Sequence, residues 1–298
     1  MIIENKHKSS SNQDTIDLSK LLSLLKKNIT LILISTIVFT IFGFFYANKL
    51  PVKYKSDATL IIRDSESNQA SSSLTMLINN GSGNKKRELF IETLKSRNLS
   101  EIVQKNENIL RDLLAIEHFD IIENKPLYND EVYDINAKDF KVKTNVNWIN
   151  GYTNEGLKIQ TLGQTFIKIS FEHPSPVFAS DYIYFLVEMT NNLIRDKSLT
   201  DADAALDFLN MQIKTASNNS IKISASQLIQ NQLDFKMKAD IHKDYIASFI
   251  NKPNIPSSKY SPNKNLYILI AGILGLLCSI FLVVVNSVTF KINRIFKS

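Results

Sequence analysis

Ile29 to Ala47 reads ITLILISTIVFTIFGFFYA and Leu266 to Val288 reads LYILIAGILGLLCSIFLVVVNSV, and neither stretch contains a charged residue or a proline. Crossing a hydrocarbon layer about 30 Å thick takes roughly 20 apolar residues in a helix. Both runs reach that length, and Tyr46 and Tyr267 stand at run ends, where amphipathic rings settle at the membrane interface. The two runs are therefore expected to be transmembrane helices, over 29–47 and 266–288. The first is too long for the apolar core of a cleaved signal and begins only at Ile29. Phe45-Tyr46-Ala47 also lacks the small residue that a cleavage site needs, so the run reads as an uncleaved anchor.

Working outward, the flanks set the orientation. Lys20, Lys26 and Lys27 precede the first run, and Lys291, Arg294 and Lys297 follow the second. Lys49, Lys53, Lys55, Lys252, Lys259 and Lys264 lie on the opposite side, so the basic residues tie at six against six. Long loops translocate largely regardless of their charge. That asymmetry places both termini in the cytoplasm and the 218 residues of 48–265 outside it.

Composition agrees with a single sizeable domain between two spans. The chain has 298 residues, 44% of them hydrophobic and 21% charged, with a net charge of +6. That excess could suit an anionic surface. Its lysines and arginines are scattered, with no block of five, which argues against nucleic acid as a partner and leaves membrane lipid. The only cysteine, Cys278, lies inside an apolar run, so the chain forms no internal disulfide and no cysteine-based metal site.

Within 48–265, Val52–Arg63 alternates as a half-buried strand through Ala58, Leu60 and Ile62. Asp64–Lys86, rich in Ser, Asn and Gly, reads as a mobile loop. Arg87–Asn98 reads as a helix with Leu89, Phe90 and Leu94 on one face, and a second short helix runs to about Ala115. Phe140–Trp148 alternates strictly and is read as the clearest strand of the chain; Thr165–Phe171 alternates through Ile167, Ile169 and Phe171. Pro174 and Pro176 suit a first helical turn. From Val177 the pattern stays helical for about forty residues, breaks at Asn218-Asn219-Ser220, and resumes from Ile221 to about Lys243 with Leu228, Leu233 and Met237 as apolar positions. A short strand at Tyr245–Ile250 follows, and Pro253, Pro256 and Pro262 make a stiff lead into the second run. The expected fold is α+β, with two transmembrane helices flanking an α/β base that carries a long helical extension over about 175–243. Such a shape buries little alone, which points to oligomers.

Chemistry is not visible in this pattern. His7, His118, His173 and His242 do not pair at metal-ligand spacing, so no metal or other cofactor is expected. His173, before Pro174 at a strand end, reads as structural or solvent-exposed rather than catalytic. There is no P-loop and no G-x-S-x-G, and Gly81-Ser82-Gly83 reads as a loop. Asp201 and Asp203, two apart on a helix, fall on different faces and read as solvated. No catalytic residue emerges, so the chain is not expected to be an enzyme. Ala271, Gly275 and Ser279 recur every four residues with Gly272 adjacent, and Gly43 and Ala47 repeat the spacing in the first run. Small residues let helix backbones approach closely in lipid.

In their order, these residues resemble the Wzz-type chain-length determinants, the polysaccharide co-polymerases of Gram-negative inner membranes. The resemblance rests on Ile16-Asp17-Leu18 and Leu21-Leu22, on Tyr54-Lys55-Ser56-Asp57-Ala58-Thr59-Leu60, and on Phe90, Leu94 and Ser96-Arg97-Asn98-Leu99. It continues through Ile167–Ala179 (IKISFEHPSPVFA), Asn191-Asn192, the three prolines and a glycine-bearing second span, where Cys278-Ser279 stands in place of a further glycine. The resemblance implies an inner-membrane protein with cytoplasmic segments 1–28 and 289–298 and a periplasmic domain over 48–265. It implies a ring-like homo-oligomer that sets the modal length of a lipid-linked glycan beside a Wzy-type polymerase. Without a kinase module, it falls with members serving O antigen or enterobacterial common antigen. Asn191, Asn192 and Arg195 on the long helix are then candidates for contact with a neighbour or glycan. The competing reading is a two-span adaptor or sensor for envelope export or signalling; a sensor would need an output module, which neither 1–28 nor 289–298 supplies, and an adaptor would need extended coiled-coil heptads, which the long helix keeps only loosely.

Overall fold

The computed structural model describes Ser23 and residues 25–63, 82–241 and 244–295. In chain order the elements are α1 (Ile29–Lys49), β1 (Tyr54–Ile62), α2 (Ser82–Leu94), α3 (Arg97–Lys105), α4 (Glu107–Ala115), β2 (Ile116–Asp120), β3 (Lys125–Tyr128), β4 (Tyr133–Asp134) and β5 (Asp139–Phe140). Then come α5 (Val146–Gly156), β6 (Leu157–Leu162), β7 (Phe166–His173), α6 (Pro176–Thr215), α7 (Asn219–Ile241), β8 (Ala247–Asn251) and α8 (Lys264–Ile295). The chain divides into two compact units, 1–50 with 262–298, and 51–261.

In the first unit α1 packs along α8. Both helices are long and apolar enough to cross a membrane, over Ile29–Lys49 and Lys264–Asn286.

The second unit is a mixed α+β domain built on an antiparallel sheet of order β6-β7-β1-β8. Its register pairs Leu60 with Ile167 and Ala58 with Ile169 on one side, and Leu60 with Phe249 on the other. Every second residue of β1 from Tyr54 to Ile62 is buried, which is the period of a strand covered on one face. Helix α6 lies on that face across β1 and β7. Phe171, Tyr182, Ile183 and Leu186 from the junction of β7 with α6 meet Phe90, Leu94, Leu99 and Leu113 from α2 to α4 in one core. The 40-residue α6 outruns this core: its last buried residue is Ala202, and α7 packs alongside the helix. Between the two helices the chain breaks at 216–218, two residues earlier than the expected Asn218-Asn219-Ser220 break, and Asn219 and Ser220 already open α7.

Several sequence expectations are corrected. Phe140–Trp148 is not a strand. Phe140 ends β5, and Asn145 caps α5 by accepting from the Trp148 backbone N–H at 2.8 Å. The alternation misled because Val142 and Trp148 are exposed, while the buried residues of the segment, Ile149 and Thr153, follow the helical four-residue spacing. The loop expected over 64–86 falls on 64–81 outside the described residues, and Ser82–Lys86, including Ser82-Gly83 of the Gly81-Ser82-Gly83 loop, opens α2. Arg87–Asn98 is not one helix: Ser96 ends the turn and caps α3 by accepting from Leu99 N–H. Leu89 is exposed, while Phe90 and Leu94 enter the core. Two helices rather than one reach Ala115, with Asn106 capping the second. On α7 the buried positions are Ala225 and Ala239, and Leu233 and Met237 face outward.

Two hairpins, β2–β3 and β4–β5, have no counterpart in the sequence expectations. They share a turn. Asp120 Oδ1 accepts from Ile122 and Glu123 N–H, and Asp134 Oδ1 accepts from Asn136 and Ala137 N–H. Four residues after each aspartate the backbone is left-handed, at Asn124 (φ 52°) and Lys138 (φ 53°). Aspartates that accept from their own turn are the available signal for such loops. The turn N–H groups also hold the Asp134 carboxyl below the usual carboxylate range.

Candidate functional site: a helix pair and a fixed junction

The first candidate is the seam between α1 and α8. A Cβ placed on Gly43 would lie 2.3 Å from Ala271 Cβ, and one on Gly275 would lie 2.6 Å from Phe39 Cβ. Gly272 faces Thr40, where a Cβ would stand 3.3 Å from Oγ1. As residue numbers rise along α1 they fall along α8, so the helices run antiparallel. Gly275, Ser279 and Val283 are buried every fourth residue on α8, as are Gly43 and Ala47 on α1. Polar groups in the seam are satisfied locally. Ser279 Oγ donates toward Gly275 O at 2.8 Å, and Thr36 and Thr40 donate to carbonyls four residues back at 2.8 Å. Within hydrocarbon such internal pairing removes the cost of a bare hydroxyl. At one end Tyr46 and Tyr267 lie 6.4 Å apart, and Lys264 Nζ donates to Asn48 Oδ1 at 2.7 Å.

The second candidate is the junction where β7 becomes α6, in the sequence His173-Pro174-Ser175-Pro176. Pro176 occupies the first helical turn, while Pro174 precedes the helix. Ser175 caps the helix, accepting from Phe178 N–H at 3.2 Å. His173 is fully buried, between Phe171 and Phe178. Its Nδ1 accepts from Ser175 N–H at 3.1 Å, which places the proton on Nε2, 3.3 Å from the Leu113 carbonyl. Burial pushes the His173 pKa down to about 4, so the ring is neutral at pH 7. A neutral imidazole spent on two backbone groups positions elements rather than moving protons. Beside it, Tyr182 donates or accepts with Thr153 Oγ1 at 2.7 Å, and burial pushes its phenol up.

The long helix redistributes the residues expected to make contacts. Asn191 is buried, so it is not an outward contact. Its Nδ2 donates to Ala247 O at 2.8 Å, and its Oδ1 accepts from Ile246 and Ala247 N–H at 3.0 and 2.9 Å. One amide thus clamps β8 to α6. Asn192 and Arg195 are half-buried, and Arg195 pairs loosely with Asp196 at 3.6 Å. Asp201 and Asp203 diverge as expected: the first pairs with Lys197 on its own helix, the second with Lys236 on α7.

The proline segment does not float. Lys53 N–H donates to Ser261 O at 2.9 Å, and Tyr260 N–H donates to Lys53 O at 2.9 Å. Ser56 Oγ donates to Asn254 O at 2.7 Å, and Lys55 sits over the Tyr260 ring. Pro253 and Pro262 are buried and Pro256 is half-buried. Among the described residues, no cluster of three or more His, Cys, Asp or Glu could hold a metal.

The comparisons with known proteins are as follows. Residues 14–107 match the family model described as Wzz: chain length determinant protein. No curated protein matches the chain. Among solved structures, one described as a full-length bacterial polysaccharide co-polymerase is 17% identical, with 92% of this chain and 99% of that chain covered at a TM-score of 0.40. A fragment of WzzB, a polysaccharide co-polymerase from Salmonella Typhimurium, is 13% identical, with 70% of this chain and all of that one covered at a TM-score of 0.35.

Proposed function

We propose, from the match of residues 14–107 to the Wzz chain length determinant family model, that the chain regulates the length of a surface polysaccharide. In this reading it sets the modal length of a lipid-carrier-linked glycan of O-antigen or enterobacterial-common-antigen type. It does so without catalysis, beside a Wzy-type polymerase. The family match carries the reading, and it spans α1, β1, α2 and α3.

The apolar helices cross the bacterial inner membrane over 29–47 and 266–288, with 1–28 and 289–298 in the cytoplasm and 48–265 in the periplasm. Their outward-facing large side chains support a lipid environment, since water would penalise so much apolar surface. Self-association into a ring-like homo-oligomer is supported by the outer part of α6 and by α7, which expose Phe208, Met211, Ile221, Ile223, Phe235 and Met237. Asn192 and Arg195 remain candidates for contact with a neighbouring copy or with glycan. A regulator of this kind breaks no bonds.

The test is a deletion strain complemented with the intact gene and read by glycan ladders on a silver-stained gel. A modal cluster that collapses to a smooth decline and returns on complementation is the expected result. An unchanged ladder overturns length control and turns attention to an export or signalling partner.

A further inference from the structure

At the tyrosine end of the helix pair, between α1 and α8, lies an apolar groove of about 280 Å³. Phe39, Phe42 and Gly43 form one wall, Ile270, Ala271 and Leu274 the other, with Tyr46 and Tyr267 at the mouth. The groove owes its depth to the Gly43–Ala271 contact, where the backbones come close and the larger neighbours stand out on either side. Ligand pockets commonly hold ~300–1,000 Å³, so this one suits a slender chain.

The mouth has the complementary chemistry. Lys49 lies one turn beyond Tyr46, and Lys264 lies one turn before Tyr267, which puts each lysine on the face of its tyrosine. The Lys264 ammonium donates to Asn48 Oδ1, and an ammonium has three donors, so two more can point elsewhere. Carbon walls capped by two phenols, with a lysine one turn beyond each, match an alkyl chain ending in a phosphate.

We propose that the α1–α8 groove binds one acyl chain of an anionic glycerophospholipid, with its headgroup phosphate held between Lys49 and Lys264. The site rests on the two helices crossing a membrane and not on length control, so its test reads lipid rather than glycan. The full chain, purified in detergent and equilibrated with equal phosphatidylglycerol and phosphatidylcholine, is analysed by native mass spectrometry. The expected result is preferential retention of phosphatidylglycerol, roughly fivefold for each lysine involved. The double variant Lys49→Gln/Lys264→Gln should retain both lipids equally. Leu274→Trp, which fills the groove, should retain neither while keeping the helical content of the parent by circular dichroism. Should that variant fail to accumulate, Ile270→Phe and the lysine pair carry the same test. Equal retention of the two lipids by the parent chain overturns the proposal, as does retention that a filled groove leaves unchanged. Efficient copy-to-copy crosslinking through Ile270→Cys in a Cys278→Ser background would place a second chain there instead and overturn it as well.

Discussion

The two units of this chain are packed inside out relative to each other. Along α1 and α8 the large residues face outward: Phe42 is 74% exposed and Phe281 67%, while Gly43, Ala47, Gly275 and Ser279 are buried. In the sheet domain Phe90, Phe171 and Leu60 are fully buried, and the exposed positions are mainly polar. Hydrophobic burial drives the second arrangement, because water surrounds it. It cannot drive the first, since lipid tails are as apolar as leucine, and there close packing of small residues does the work. The same residue type therefore has opposite value in the two units.

The sharpest way to break this contrast is a matched pair of truncations. Phe171→Ala removes a core ring that packs against Tyr182 at 4.8 Å and should cost about 3–5 kcal/mol. Phe42→Ala on α1 should leave stability almost unchanged. Denaturant titration of the full chain in detergent, followed by circular dichroism, would separate them; equal losses would mean that α1 packs like a soluble core helix.

Acid should strike only the sheet domain. A histidine ordinarily titrates near 6.5, and burial takes His173 down to about 4 in the fold, with Lys53 adding slightly and the backbone contacts at Leu113 and Ser175 and the charge of Asp112 opposing. Above pH 6.5 its contribution is fully present. Between pH 6.5 and about 4 the unfolded chain binds a proton that the folded chain refuses, so stability falls with pH by roughly 3 kcal/mol in all. The measurement is the denaturation midpoint of the sheet-domain signal against pH. Replacement of His173 by Asn should flatten that slope; a slope unchanged in the variant assigns the acid sensitivity elsewhere.

The smallest effect expected lies in the helix seam. Gly275→Ala puts a methyl group 2.6 Å from Phe39 Cβ and should loosen the pair by about 1–3 kcal/mol. Leu276→Ala, one residue on and facing outward, should do nothing. Crosslinking between cysteines introduced into α1 and α8 reads the difference, and equal crosslinking in both variants would remove Gly275 from the seam.

Much of the chain was legible before any coordinates. Two uncharged runs of about twenty residues, the alternation of Val52–Arg63 and Thr165–Phe171, and the prolines at the start of the long helix all rest on signals carried by neighbours in sequence. The hairpins at 116–128 and 133–140 were not legible, because their strands are four or five residues long at most and two in the second pair. Too few residues alternate there to stand out. Their aspartate turns are a weaker signal than a run of apolar residues.

What the sequence determined by itself was the set of local elements: the two apolar helices, the sheet strands β1 and β7, and the break between α6 and α7. Helical length, absence of charge, period and capping are properties of contiguous residues. Tertiary structure decided which of those residues are inside. It made a helix of Val146–Gly156, because a capped turn that buries Ile149 and Thr153 outweighs a pleasing alternation. It took Asn191 from the surface and spent its amide on Ile246 and Ala247, more than fifty residues away. Burial depends on what the distant chain brings alongside, and no local pattern encodes that.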